Sequence, residues 1–222
     1  MSIINLYCQL GTISFEEFST SRFARVIGMG DVYTGVADGI ESTYYNNAGL
    51  AYMESYAVIY SNGSGLIPLQ NFGQHDFAVT VPFLKKNFIL GFSLNTFSID
   101  IDDDNFYHSY MYRLHFASKL RDNFAIGLSL NYYRSETESQ FVSTRLKYST
   151  NPNFDMTVSF IYKLKFFHLH SEEDRLNFGF QMHNFLATKT EIEDLGQGNE
   201  KYQELRTGLS YSIVPYLKQI NG

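Results

Sequence analysis

The chain has 222 residues, a formal net charge of −6, one cysteine, and 17% aromatic residues, with 20 Phe, 17 Tyr and no Trp. An acidic balance without a basic patch excludes a nucleic-acid partner, and a single cysteine excludes an internal disulfide. No apolar run approaches the ~18 residues of a membrane-spanning helix, and with only 18% charged residues the aromatic content fits alternating strands with one wet face.

The opening stretch, MSIINLYCQLGTISF, carries no basic cluster or apolar run of signal-peptide length. Cys8 follows a bulky Tyr7 with no such run before it, so it is expected to be a free or buried thiol rather than a lipid carrier. Residues 11–55 then hold Gly28, Gly30, Gly35, Gly39 and Gly49 among small polar residues. A short helix is expected after Asp31, whose side chain can cap it. Gly35 and Gly39 weaken that helix, so it needs close packing against another element.

From Tyr56 the pattern turns to period two, the strand signal. Phe77, Val79, Val81 and Phe83 alternate, then Phe88, Leu90, Phe92 and Leu94. The phase slips to Phe97, Ile99 and Ile101, which predicts a bulge or bend near Asn95. Further faces run through Phe106, Tyr110, Tyr112, Leu114, Phe116 and Leu120, and through Phe124, Ile126, Leu128, Leu130 and Tyr132. The cleanest is Phe154, Met156, Val158, Phe160, Tyr162, Leu164 and Phe166, opposed by Asp155, Thr157, Ser159, Lys163 and Lys165. Two more follow, Leu176 to Met182 and Leu205 to Ile213.

About eight strands result, several long enough to cross a bilayer at a tilt, which takes about 9–11 residues. Many faces end in Tyr or Phe, as aromatic girdles do. The segments 84–87 and 121–123 read as tight turns, whereas 133–153 and 187–203 read as long polar loops. That asymmetry is a habit of outer-membrane barrels. A soluble β-sandwich or lipid-binding β-barrel also alternates. The two differ in which face is wet: in a membrane barrel the Phe154 set points outward, and in a soluble protein it points inward.

Residues 22–53, RFARVIGMGDVYTGVADGIESTYYNNAGLAYM, closely resemble the N-terminal signature of the FadL and PorV superfamily of outer-membrane β-barrel proteins. The matching residues include Ala24, Arg25, Gly28, Met29, Gly30, Val36, Ala37, Asp38, Tyr44, Asn46, Ala48, Gly49, Leu50 and Ala51. The lead-in GTISFEEF and the later FDMTVSFIYKL, RLNFGFQMHNF and ELRTGLSYSI are also similar to that family's segments. Tyr45 stands where the family has tryptophan, and Asn47 where it has proline.

The resemblance implies an all-β fold: an antiparallel membrane β-barrel with a helical, Gly-rich hatch over residues 1–55 and wall strands over 56–222. It implies a place in the outer membrane of a Gram-negative cell, with outer-membrane lipid as a partner. Secretion-system components or exported cargo are implied for a PorV-like member of type IX secretion, which the Gly-Thr lead-in slightly favours. Hydrophobic small molecules are implied for a FadL-like uptake channel. Arg25 is expected to face a polar lumen and pair with a wall carboxylate. Neither branch is enzymatic. A structural barrel without a transport role is a further alternative.

Other chemistry is weaker. Gly28-Met29-Gly30 lacks the third small residue of a dinucleotide turn, because Tyr33 stands there. The acidic run Asp100 to Asn105 lacks the glycine and closing glutamate of a calcium loop. His168 and His170 share a strand face without a third ligand of comparable spacing. No nucleophile elbow is found, so no catalytic residue, metal or cofactor is expected. An eight-stranded barrel is filled by its own side chains and cannot hold a hatch of about forty residues. The expectation is therefore a hatch with part of a larger barrel, in a chain that is incomplete.

Overall fold

A computed structural model describes residues 23–28, 33–64, 71–83, 88–102, 105–141, 144–149, 153–164, 175–186, 189–191, 198–200 and 203–212. Two short helices, α1 (Ala24–Gly28) and α2 (Ser42–Tyr45), and a 3₁₀ helix (Asn47–Tyr52) precede the strands. These are β1 (Ala57–Ser64), β2 (Asn71–Phe83), β3 (Phe88–Asp102), β4 (Asn105–Arg121), β5 (Phe124–Phe141), β6 (Thr144–Ser149), β7 (Asn153–Leu164), β8 (Arg175–His183), β9 (Lys189–Glu191), β10 (Gly198–Glu200) and β11 (Glu204–Ser212).

One antiparallel sheet dominates, in the order β1-β2-β3-β4-β5-β7-β8-β11, with β6 hydrogen-bonded to β5 outside that path. The all-β expectation and the count of about eight wall strands both match this sheet. Barrel closure does not: β1 and β11 end the path without pairing to each other, so the described sheet is open.

Four local expectations are corrected. The registers β2/β3 and β3/β4 run unbroken through Asn95, and the register shifts lie at Asp100/Asp102 and Lys119/Arg121 instead. The apolar phase slips at Phe97 because that ring turns to the inner face, where it is buried. Residues 133–153 are no long loop: β5 runs on to Phe141 and turns back as β6, pairing Glu136 with Ser149 and Phe141 with Thr144. Within 187–203, β9 and β10 form a small hairpin. After Asp31 the chain makes a turn rather than a helix, with the Val36 and Ala37 amides both donating to the Tyr33 carbonyl.

The two faces of the sheet differ sharply. Val58, Val81, Phe83, Phe88, Leu114, Leu130, Phe154 and Leu209 lie on the outer face, each at least two-fifths exposed. Aromatic rings on this face meet from strand to strand, Phe160 stacked on Phe180 at 4.8 Å and Tyr132 edge-on to Phe154 at 5.1 Å, the cross-strand pairing that steadies a sheet face. The inner face is buried and largely polar, with Asp76, Asn95, Arg113, His115, Asn131, Asp155, Thr157, Ser159 and Gln181. Phe154, Met156, Val158, Phe160 and Tyr162 therefore point outward and Asp155, Thr157 and Ser159 inward.

Residues 33–53 cover that inner face. They reach β2 through Tyr44 and β11 through Gly35. In a flat sheet these two strands would lie about 29 Å apart, so the sheet curls round the segment.

Candidate functional site

The candidate site is the junction between the N-terminal segment and the inner face. Its geometry begins with small residues. A Cβ on Gly127 of β5 would strike the backbone of Asn47 and Ala48, and one on Gly179 of β8 would strike the Thr34 carbonyl. On β11, Gly208 lies so close to Gly35 that a Cβ there would sit 2.6 Å from the Gly35 amide nitrogen. Glycine at these positions lets backbone meet backbone. Within the segment, Gly49 abuts Ala37, which holds a left-handed φ of 28°. Leu50 and Ala51 fill the remaining apolar gap against Ile89, Ala117 and Ala125.

Polar bonds then fix the register. Asn46 sits fully buried in extended backbone, and its Oδ1 accepts from the Ala48 amide at 3.2 Å, capping the 3₁₀ turn. Its Nδ2 donates to the Thr34 carbonyl at 2.9 Å and to the Phe160 carbonyl of β7 at 3.2 Å. Ser159 Oγ accepts from the Ala48 amide at 3.0 Å and donates to Asn47 Oδ1 at 2.7 Å. Asn47 thus makes a wall contact that a proline could not. At the other ends, the Tyr44 hydroxyl donates to the Phe77 carbonyl of β2, and Ser210 Oγ of β11 donates to the Gly35 carbonyl. Tyr45 is buried edge-on against Tyr33, the ring centroids 5.6 Å apart.

The expectation for Arg25 is reversed. Its guanidinium pairs with Asp38 at 2.8 Å and lies 4.0 Å from Glu41, both within the segment, and it is 46% exposed. The hydrogen bond to Asp38 holds Arg25 above its ordinary value. The Tyr33 hydroxyl donates to Asp38 Oδ1 at 3.0 Å. Burial pushes that hydroxyl well up, and the Asp38 and Glu41 carboxylates add to the shift. The cation crossing the junction comes from the wall instead: Arg113 of β4 donates to the Thr43 carbonyl at 3.3 Å and stacks over the Tyr44 ring. At the segment's exit Lys163 of β7 sits over the Tyr52 ring.

Of the signature residues, Asp38, Tyr44, Tyr45, Asn46, Asn47, Ala48, Gly49 and Leu50 are brought together here, with Arg25 at the rim. Gly28 ends α1, where an added Cβ meets nothing within 4 Å, so close packing does not explain it. Met29, Gly30, Cys8, His168, His170, Asp103 and Asp104 lie outside the described residues.

Sequence reasoning set Asp155 and Thr157 opposite the apolar set but missed the bonds that join them to neighbouring strands. Asn131 Nδ2 donates to Asp155 and to Thr157 Oγ1, Thr157 bonds His183 at 3.0 Å, and Gln181 bonds His183 at 2.7 Å. A matching pair joins Asn95 to Asp76 at 2.5 Å. The signal was present: each polar residue alternates with the apolar set on its strand. Asn95 Oδ1, Asn131 Oδ1 and Gln181 Oε1 are buried without a protein partner, as suits a surface made for water or polar solute. Among the described residues no three His, Cys, Asp or Glu are grouped to hold a metal, and no helix is long and apolar enough to cross a membrane, which does not bear on strands.

Comparison with protein-family models, curated proteins and solved structures finds no match to this chain.

Proposed function

We propose that the chain is a non-enzymatic outer-membrane β-barrel protein of the PorV and FadL type, acting in transport or protein secretion across the outer membrane. The N-terminal segment is its hatch. One observation carries this reading: the sheet is inverted, apolar outside and polar inside. An exposed apolar face of this extent is unfavourable in water and favourable against acyl chains. Between Phe124 and Tyr132 the outer face of β5 is apolar or aromatic over about nine residues, near the 9–11 that a tilted strand needs. Within bilayer hydrocarbon both edges, β1 and β11, require pairing, whatever supplies the strands.

The polar inner face favours secretion over hydrophobic uptake. A route for hydrophobic compounds wants apolar lining, whereas Asp76, Arg113, Asn131 and Asp155 line this one. The test is cysteine accessibility in lipid vesicles on a Cys8→Ser background. Leu130→Cys and Val158→Cys should resist a water-soluble maleimide in vesicles and react after solubilisation in denaturant. Equal and rapid labelling in both states overturns the bilayer reading.

A further inference from the structure

The outer face changes character in steps along the β4–β5 pair. In register, Leu114 faces Leu130, Tyr112 faces Tyr132, Tyr110 faces Arg134 and His108 faces Glu136. Hydrocarbon-like surface thus gives way to aromatic rings and then to charge. The change falls at the end away from the tight turn at 121–123, where β5 runs on into the β5–β6 hairpin. Outer-membrane barrels keep their short turns in the periplasm and their long connections outside, so on the bilayer reading this is the extracellular end.

At the step from rings to charge lies an outward cleft of about 370 Å³, lined by Tyr110, Tyr112, Tyr132, Arg134 and Glu136. Small-ligand sites run from about 300 to 1,000 Å³, so the cleft suits one compact group. Tyr112 and Tyr132 border it toward the apolar band, their ring centroids 5.8 Å apart. Arg134 Nη2 meets Glu136 Oε1 at 2.7 Å, and both side chains remain more than a third exposed. The two charges offset each other, so the cleft favours no net charge in its occupant. The exposed remainder of the pair still sets guanidinium donors beside carboxylate acceptors.

We infer that this cleft binds a sugar residue of the glycolipid that forms the outer leaflet, its ring on tyrosine and its hydroxyls on Arg134 and Glu136. The inference rests on the bilayer reading and names a ligand for that surface. Three features select the occupant. A hydroxyl both donates and accepts, so neighbouring sugar hydroxyls match a cation and an acid standing side by side. The C–H face of a sugar ring is slightly positive and packs on the negative face of an aromatic ring. The cleft begins where the apolar band ends, which is headgroup depth, and in a Gram-negative outer leaflet the group carried on the acyl chains at that depth is a sugar.

The experiment reconstitutes the full chain into phosphatidylglycerol vesicles, alone or with deep-rough lipopolysaccharide, intact or dephosphorylated. Flotation follows insertion, and native mass spectrometry after mild detergent extraction counts the lipid retained. Both forms of the glycolipid should be retained in preference to phosphatidylglycerol. Tyr112→Ala should lower that retention about fivefold, the scale of one aromatic contact, while Tyr112→Phe keeps the ring and should bind as before. Arg134→Ala combined with Glu136→Ala leaves the net charge unchanged and should lower retention about tenfold, the scale of one lost charge-assisted hydrogen bond. Flotation should be unchanged in all three variants. Retention lost on dephosphorylation would reassign the site to a phosphate and overturn the sugar. Displacement by free glucosamine at matched concentration would overturn the lipid as its source. Retention that ignores the alanine substitutions, or that favours phosphatidylglycerol, overturns the inference while leaving insertion intact. A chain that floats with none of the vesicles overturns the bilayer reading and this inference with it.

Discussion

Asn47 Oδ1 accepts a 2.7 Å hydrogen bond from Ser159 Oγ, linking residues 112 positions apart. Ser159 in turn accepts from the Ala48 amide, so one wall hydroxyl holds two consecutive residues of the 3₁₀ turn. Proline at position 47 would forfeit that bond, yet it would also remove the buried Asn47 Nδ2, which has no partner. Asn46 is already extended, φ −168° and ψ 94°, clear of the helical region that a following proline disfavours. Asn47→Pro should therefore change stability by less than about 1 kcal/mol. Ser159→Ala should cost about 1–2 kcal/mol, because it strips a partner from both residues. Urea unfolding of the reconstituted protein checks the order, and a larger loss for Asn47→Pro than for Ser159→Ala contradicts it.

The wall glycines separate packing from mere composition. Gly127→Ala and Gly179→Ala each drive a methyl into segment backbone, which cannot yield as a side-chain tip can. Each should cost about 3 kcal/mol, at the upper end of overpacking, and should expose residues 33–53 to limited proteolysis. Gly28→Ala is the control. Its Cβ meets nothing within 4 Å, and alanine is the better helix former, so protease resistance should be unchanged or improved.

How far these relations were legible in sequence depends on their range. Period two in Phe154 to Tyr162 separated the faces of β7 correctly, because each residue's side is set by its own strand. Phe97 was misread because an aromatic ring on the inner face breaks the apolar alternation without breaking the ladder. The β5–β6 hairpin was read as a loop for a similar reason. Its register, from Glu136 with Ser149 to Phe141 with Thr144, rests on backbone pairing, which leaves no hydrophobic trace. The Asn46 cap on the Ala48 amide is local chemistry, two residues apart. Its bond to the Phe160 carbonyl, 114 residues away, and that of Ser210 to Gly35, arise only once the sheet has curled.

The two arginines of the junction should differ in weight. Arg113 is 5% exposed, bonds the Thr43 carbonyl and covers the Tyr44 ring, whereas Arg25 is 46% exposed. Arg113→Ala removes a buried charge from its partners and should cost about 3 kcal/mol. Arg25→Ala breaks a solvent-screened pair and should cost less than about 1 kcal/mol. Thermal or urea midpoints of the two variants decide, and equal losses would mean that the wall cation does not anchor the segment.

Tyr33 gives the junction a dependence on alkaline pH whose sign follows from its surroundings. Burial and the neighbouring Asp38 and Glu41 carboxylates favour the neutral hydroxyl in the folded state, so its affinity for the proton is raised there. A raised value means that the contribution is complete below the ordinary tyrosine value of about 10 and declines as pH rises above it. The hydroxyl also donates to Asp38, and a phenolate there would face the carboxylate without a proton between them. Limited proteolysis across pH 8 to about 11 should show residues 33–53 loosening in the alkaline range. Tyr33→Phe keeps the ring against Tyr45 and cannot ionise. It should flatten that part of the profile while lowering resistance slightly at neutral pH through the lost hydrogen bond. An unchanged alkaline profile in Tyr33→Phe would place the pH dependence on another group.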